Sequence, residues 1–403
     1  MPQWGEGTRM NRILFVDDEP HVLAALRRVF CLRDMAACAV YFAESGAKAL
    51  KAMAARPFDA VVSDFRMPGI DGTQFLCEVR RRYPDTVRLV LSGCAEERGL
   101  IQLADLAHQF IPKGCDPGVL LAALDLPLRL GPQLKDQRMR AEVSGAGTLP
   151  SSRAAVRDLL AVLDSSCGVG TVAEVLQRDV ALAAKVLQLV NSAFFAARAR
   201  ITSLEDAIVR LGLPTIRSVV VESGARRRPD PFDPAGPSPR DPIEVVNLRA
   251  LTTARLARRL APPEQADDAF SAGLLHECGK LAMAATRPDA LAPRCRHHRK
   301  ASRRSGTEAR AMARAGAYLL SLWGLPPEVV EAVACHAGPV DVRANEPPDL
   351  VTAVQIAHLV ATSETVCDCG RPAHPVADVA LLQATGTLEA VRRWKAEQVM
   401  SPA

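Results

Sequence analysis

Four short apolar runs in the first third of the chain each end on a group able to do chemistry. They are Ile13-Leu14-Phe15-Val16-Asp17-Asp18, Val61-Val62-Ser63-Asp64, Leu89-Val90-Leu91-Ser92 and Phe110-Ile111-Pro112-Lys113. The residues between them recur at helical spacing. The pattern predicts strands near 12–16, 39–43, 59–63, 88–92 and 109–112, with helices near 20–32, 45–55, 72–82, 95–105 and 116–129. Alternation of β and α elements folds into a parallel, doubly wound sheet. In such sheets ligands bind outside the carboxyl ends of the strands. One locus is therefore expected to collect three carboxylates, a hydroxyl and an amine.

Clustered carboxylates stay ionised together only with a hard cation such as Mg²⁺, which takes one or two carboxylates and completes its shell with water and phosphate oxygens. Asp64, delivered to the turn Phe65-Arg66-Met67-Pro68-Gly69-Ile70-Asp71-Gly72, then has the chemistry of a nucleophile that forms an aspartyl phosphate. Lys113 and Ser92 suit the charge that develops on a transferred phosphoryl group.

On these residues, positions 11–130 resemble a response-regulator receiver domain of two-component signalling, which has a flavodoxin-like fold. The resemblance implies that Asp17 and Asp18 with Asp64 hold Mg²⁺, that Asp64 is the phosphoacceptor, and that Lys113 contacts the phosphoryl group. It further implies that Ser92 and Phe110 act as the switch pair, with a sensor histidine kinase as phosphodonor. The family usually carries a proline joined by a cis peptide after the lysine, and this chain has Gly114. A cis bond without proline costs about 2.5–4 kcal/mol, so whether Lys113–Gly114 is cis or trans stays open at this stage.

From Leu149 strands vanish and apolar residues recur at helical spacing to the end of the chain, so the second half reads as all-α. Residues 131–148, rich in Gly, Pro and charge, read as the connection, and residues 1–10 as a leader. Helices are expected over 154–163, 172–177 and 180–190, the last capped by Asp179, and another is expected after Thr202 or Ser203. Residues 226–242 contain six prolines and read as an exposed excursion. Residues 366–403 read as a helical extension, including the stretch around Trp394.

The segments Arg178 to Ala193 and Ile201 to Ile208, with Leu211-Gly212, resemble the HDOD domain, a helical relative of the HD phosphohydrolases. Phe270 to Leu281, Gly316 to Leu320 and Ala334-Cys335-His336 extend the resemblance across 149–365. An HD hydrolase holds divalent metal through a first His, a His-Asp pair and a later Asp. In this chain those positions read Arg249, His276-Glu277 and His358, and Met312 stands where some relatives have a further histidine. A cation at the first position repels metal, and His276 with Glu277 offers at most two good ligands. The second half is accordingly expected to be non-catalytic and without a cofactor, with His276 and His336 in a polar network, and to act by binding a protein or small ligand.

Two alternatives compete with that reading. One is a phosphodiesterase of HD-GYP type acting on cyclic dinucleotides, although no GYP-like segment is present. The other is a nucleic-acid regulator using Arg294 to Arg304, which holds six Lys/Arg and two His. That stretch has no aromatic residue for base stacking, which argues for a solvated loop. The net charge is +5, and no apolar run approaches the ~20 residues of a membrane helix. Eleven cysteines without a signal-peptide h-region suggest thiols and a cytoplasmic protein. Cys367-Asp368-Cys369 lacks the partners of a zinc site. Homodimerisation stays open.

Overall fold

The computed structural model describes residues 10–32, 38–93, 105–165, 167–192, 200–225, 242–287, 291, 304–340, 348–363 and 379–400. The chain divides into two compact units. The first is Met1–Gly147 with short later stretches beginning at Gln188 and Ser321; the second holds the remainder from Thr148.

The first unit is built on a five-stranded parallel sheet in the order β2-β1-β3-β4-β5. Its strands are β1 (Asn11–Val16), β2 (Cys38–Ala43), β3 (Ala60–Asp64), β4 (Val87–Ser92) and β5 (Gln109–Pro112). Strands β3 and β4 are buried along their whole length, as expected for a parallel sheet covered on both faces. The helices are α1 (Pro20–Leu32), α2 (Gly46–Ala55), α3 (Gly72–Arg82) and α4 (Pro117–Leu130). The helix expected over 95–105 falls almost wholly outside the described residues.

Local chemistry sets the ends of these elements. Asp71 caps α3 by accepting from the Gln74 N–H at 2.7 Å, and Asp116 caps α4 through Gly118 N–H at 2.6 Å. Gly72 is required for packing, since a Cβ there would lie 2.4 Å from the Asp64 carbonyl oxygen and 2.7 Å from that of Phe65.

The stretch 131–148, read from sequence as the connection, is not without structure of its own. It contains helix α5 (Gln137–Gly145), capped by Asp136, and α5 is fastened to the sheet by a buried arginine. Arg88, 1 % exposed, donates to the carbonyls of Leu106 at 2.7 Å, Thr86 at 3.0 Å and Ser144 at 2.6 Å, and lies 2.8 Å from His108 Nε2. Arg140 of α5 adds an ion pair with Asp85 at 2.8 Å. Gly and polar residues suggested a linker because a buried arginine anchoring a helix leaves no periodic trace in sequence.

The second unit is helical, with no strand among its described residues. It opens with α6 (Arg153–Asp164), α7 (Val169–Leu176), α8 (Val180–Asn191), α9 (Leu204–Leu211) and α10 (Leu213–Ala225). Asp179 caps α8 through Leu182 N–H at 2.9 Å and also accepts from Ser152 N–H at 2.8 Å and Asn247 Nδ2 at 3.3 Å. It thereby ties three segments together. Ser203, not Thr202, caps α9, and the helix stops at Gly212, whose φ of 77° suits glycine. The short helix expected from 172 starts three residues earlier, at Val169.

The rest comprises α11 (Pro242–Leu260), α12 (Ala266–Leu275), α13 (Cys278–Ala284), α14 (Arg304–Leu322), α15 (Pro327–Cys335), α16 (Leu350–Ser363), α17 (Val379–Ala384) and α18 (Leu388–Met400). Helix α11 packs on α12 and α16, and α12, α15 and α16 pack on one another. Close approach of α11 and α12 requires Gly273, since a Cβ there would meet the Ala254 backbone at 2.7 Å. Trp394 of α18 is buried. Residues 226–241, 294–303 and 364–378, which hold most of the proline-rich and basic stretches and Cys367 to Cys369, lie outside the described residues. No described helix is long and apolar enough to cross a membrane.

Candidate functional site

Strand register brings the polar ends of the runs in the first unit to one edge. Val16 pairs with Ser63, Asp64 with Leu91, and Ser92 with Pro112. Asp17, Asp64, Ser92 and Lys113 therefore emerge side by side, each at a strand's carboxyl end. Ligand oxygens of Asp17, Asp18 and Asp64 all lie within 4.8 Å of one another.

Lys113 Nζ donates to Asp64 Oδ2 at 2.6 Å and to Glu19 Oε1 at 3.2 Å, and stands 3.1 Å from Asp17 Oδ2. Burial opposes the lysine's charge, but hydrogen bonds and attraction from Asp64 and Asp17 outweigh it and raise its pKa. Asp17 is fully buried and accepts from Glu19 N–H at 2.9 Å through Oδ1. Its Oδ2 is buried and has the Lys113 ammonium, 3.1 Å away, as its counter-charge. Desolvation raises the pKa of Asp17.

Three carboxylates with ligand oxygens within 4.8 Å of one another, one of them buried with only a lysine ammonium against its Oδ2, are a donor set suited to a hard cation. The residues present fit Mg²⁺, as the sequence reading expects. Glu19 is a site neighbour that the sequence reading missed, although its place directly after the acidic pair Asp17-Asp18 is a signal.

Ser92 is buried, and its hydroxyl donates to Gly93 O at 3.2 Å. Phe110 is 1 % exposed, opposite Val90 in the sheet. Among the described residues no peptide bond is cis, so Lys113–Gly114 is trans, and Gly114 takes a positive φ of 79°. Glycine in place of proline thus gives this turn a left-handed conformation that a proline could not adopt.

A second constellation lies in the helical unit. The residues at the degenerate HD positions, Arg249, His276, Glu277 and His358, line one cavity together with His336, Lys280 and Met312. Glu277 is fully buried; its Oε2 accepts from Arg249 Nε at 2.8 Å and from Arg249 Nη2, and its Oε1 accepts from Lys280 Nζ. Burial alone would raise its pKa, but Arg249 and then Lys280 hold it well below the usual carboxylate range.

The sequence reading counted at most two good ligands here and took His276 and His336 as core or polar-network histidines. The fold instead packs His276, His336 and His358 together, with ring centroids 4.9, 4.9 and 5.0 Å apart. Their convergence depends on the packing of α12, α15 and α16, which spacing along the chain does not report.

Comparison with known families follows from these two sites. The model of the response regulator receiver domain matches residues 13–125, and that of the HDOD domain matches residues 148–339. The chain carries a receiver domain followed by an HDOD domain. It is a response regulator of the two-component type, with an α/β receiver of the flavodoxin-like class and a helical HDOD unit.

Among curated relatives, the hydrogenase transcriptional regulatory protein HoxA of Cupriavidus necator is 30% identical over 175 residues, which is 39% of this chain and 36% of the relative. The transcriptional regulatory protein KdpE of Mycobacterium tuberculosis is 32% identical over 121 residues, 30% of this chain and 52% of the relative. The chain thus spans about a third to a half of the length of these relatives.

Among solved structures, the signal receiver domain of an HD domain-containing protein from Pseudomonas fluorescens Pf-5 is 25% identical, with 33% of this chain and 97% of that chain covered at a TM-score of 0.31. The MmoQ response regulator fragment from Methylococcus capsulatus is 22% identical, with 54% and 84% covered at a TM-score of 0.41.

Proposed function

We propose that the receiver accepts a phosphoryl group on Asp64 from a sensor histidine kinase and that this controls a non-catalytic HDOD output, in the cytoplasm. The observation that carries the reading is the contact of Lys113 with Asp64 at 2.6 Å and with the buried Asp17 Oδ2 at 3.1 Å. An Asp64 carboxylate oxygen attacks phosphorus, forming an aspartyl O–P bond as the N–P bond of the donor phosphohistidine breaks; the electron pair returns to the imidazole nitrogen. Lys113, held charged, pairs with a phosphoryl oxygen once Asp64 is esterified. Asp17, Asp18 and Asp64 would hold Mg²⁺, which when bound neutralises charge on the phosphoryl oxygens.

Ser92 and Phe110 provide the switch. Phosphoryl oxygens on Asp64 draw the Ser92 hydroxyl inward, and Phe110 takes the space vacated. Such a two-state element transmits only the differential affinity of its ligand, typically about 1–3 kcal/mol.

The absence of turnover in the HDOD unit rests on Glu277. Both its oxygens are committed to Arg249 and Lys280, so the carboxylate at the degenerate His-Asp pair is not free to ligate metal or relay protons. The unit acts instead by binding a protein or small ligand.

Incubation of the full chain with a small phosphodonor and Mg²⁺ should add one phosphoryl group by intact-mass measurement, and Asp64→Asn should abolish it. Equal labelling of Asp64→Asn would end the assignment. The helical unit's inertness is tested separately, by assaying cyclic-dinucleotide hydrolysis with Mn²⁺; turnover lost on His276→Ala would replace this reading with the phosphodiesterase one.

A further inference from the structure

The three histidines of the HDOD unit are arranged in a way that a polar network does not require. His276 follows the last residue of α12, and its Nδ1–H donates to Gly273 O at 2.6 Å; His336 follows α15, and its Nδ1–H donates to Val333 O at 2.7 Å. The same device is used twice. Each imidazole caps a carbonyl left open at a helix end, which fixes its tautomer and leaves Nε2 as the acceptor nitrogen; that of His276 accepts from His358 Nδ1–H at 3.0 Å, a bond that a metal between the two would replace. Donation of the far ring nitrogen to a carbonyl is the outer-shell bond that orients metal-ligating histidines.

The third ring arrives from the middle of α16. His358 Nδ1 faces His276 Nε2 at 3.0 Å. Two nitrogens each about 2.1 Å from one ion are about 3.0 Å apart at the right angle of octahedral geometry and about 3.4 Å apart at the tetrahedral angle, so a modest opening of this pair would admit either. One nitrogen from each of the three rings lies within 4.8 Å of the others. The rings are mutually steep, at 80°, 70° and 78°. Near-equal centroid spacings with steep interplanar angles describe a three-bladed cluster that brings one nitrogen from each ring together.

We propose that His276, His336 and His358 form a three-imidazole site for a divalent first-row transition metal, such as Zn²⁺, Co²⁺ or Fe²⁺, in the HDOD unit. The donor set is unlike that of an HD hydrolase, since no carboxylate takes part: Glu277 is held by Arg249 and Lys280. Neutral imidazoles favour such borderline ions over Mg²⁺ or Ca²⁺, which require oxygen ligands. Three ligands leave positions open towards the cavity of about 80 Å³ lined by Arg249, Lys280, Met312 and Thr362. The site therefore departs from the cofactor-free state expected from sequence. It is independent of whether Asp64 is phosphorylated and of whether the unit turns over substrate.

The receiver acids bind divalent ions too, so the test uses the full chain carrying Asp17→Asn and Asp18→Asn. Co²⁺ is added, the protein is desalted, and bound metal is measured by elemental analysis together with the visible d–d spectrum. One equivalent per chain is expected, displaced by Zn²⁺ but not by millimolar Mg²⁺. Removal of one ligand, by His336→Gln or His358→Gln, should weaken retention at least tenfold. X-ray absorption of the Co²⁺ or Zn²⁺ form needs no variant in the helical unit and should show three imidazole nitrogens in the first shell. Absence of a retained equivalent, retention unchanged in both variants, or a shell of oxygen donors would each overturn the proposal.

Discussion

Acidification should loosen the helical unit by an amount that can be worked from the buried histidines. Burial pushes His276 down to about 3 and His336 down to about 4, and His358 lies well below its ordinary value for the same reason. In the unfolded chain each would titrate near 6.5. The folded pKa values are depressed, so between about pH 6.5 and 4 the unfolded state binds protons that the folded state does not. Stability is therefore complete above pH 6.5 and falls as the pH drops through that window. Each such group removes about 1.4 kcal/mol per pH unit. From neutral pH down to pH 5, His276 and His336 alone remove about 4 kcal/mol, a large share of the ~5–15 kcal/mol that stabilises a typical domain.

A single global unfolding energy is ill-defined for a two-unit chain, so the measurement is local. Hydrogen exchange of peptides covering 266–284 and 327–336, corrected for intrinsic rate and run with chelator to exclude metal, gives the opening energy at each pH. The double variant His276→Gln, His336→Gln should lose most of the slope. A parent whose opening energy changes by under about 1 kcal/mol across the window, or a double variant with the parental slope, refutes the reasoning.

Two further perturbations follow from the packing. Glu277→Gln leaves Arg249 and Lys280 without their buried counter-charge and should destabilise the helical unit by about 3–5 kcal/mol, measured as the local opening energy by hydrogen exchange of peptides covering 266–284; adding Arg249→Met should recover part of the loss. Gly72→Ala forces a Cβ against the Asp64 and Phe65 backbone and should cost about 1–3 kcal/mol, with slower labelling of Asp64 as the turn shifts; an unchanged melting temperature would show that the turn yields freely.

The receiver's fold and the meeting of its polar strand ends are legible in the sequence for a physical reason. Each strand of a parallel sheet is a short apolar run, and the groups that matter sit immediately after it, so chain position nearly specifies spatial position. Asp17, Asp64, Ser92 and Lys113 could be placed together because the topology of a doubly wound sheet admits only one meeting edge. The caps at Asp179 and Ser203 were readable likewise, being bonds over two or three residues. Tertiary structure alone decided the rest. Arg88 binds carbonyls as far apart as Thr86 and Ser144 and converts an apparent linker into helix α5. His276, His336 and His358 come from three helices separated by dozens of residues, and helical periodicity says which face each occupies but not which faces meet. Their convergence is set by backbone approach, as at Gly273 against Ala254, and by the tautomers that helix-end carbonyls impose. Neither quantity is a property of any stretch of sequence taken by itself.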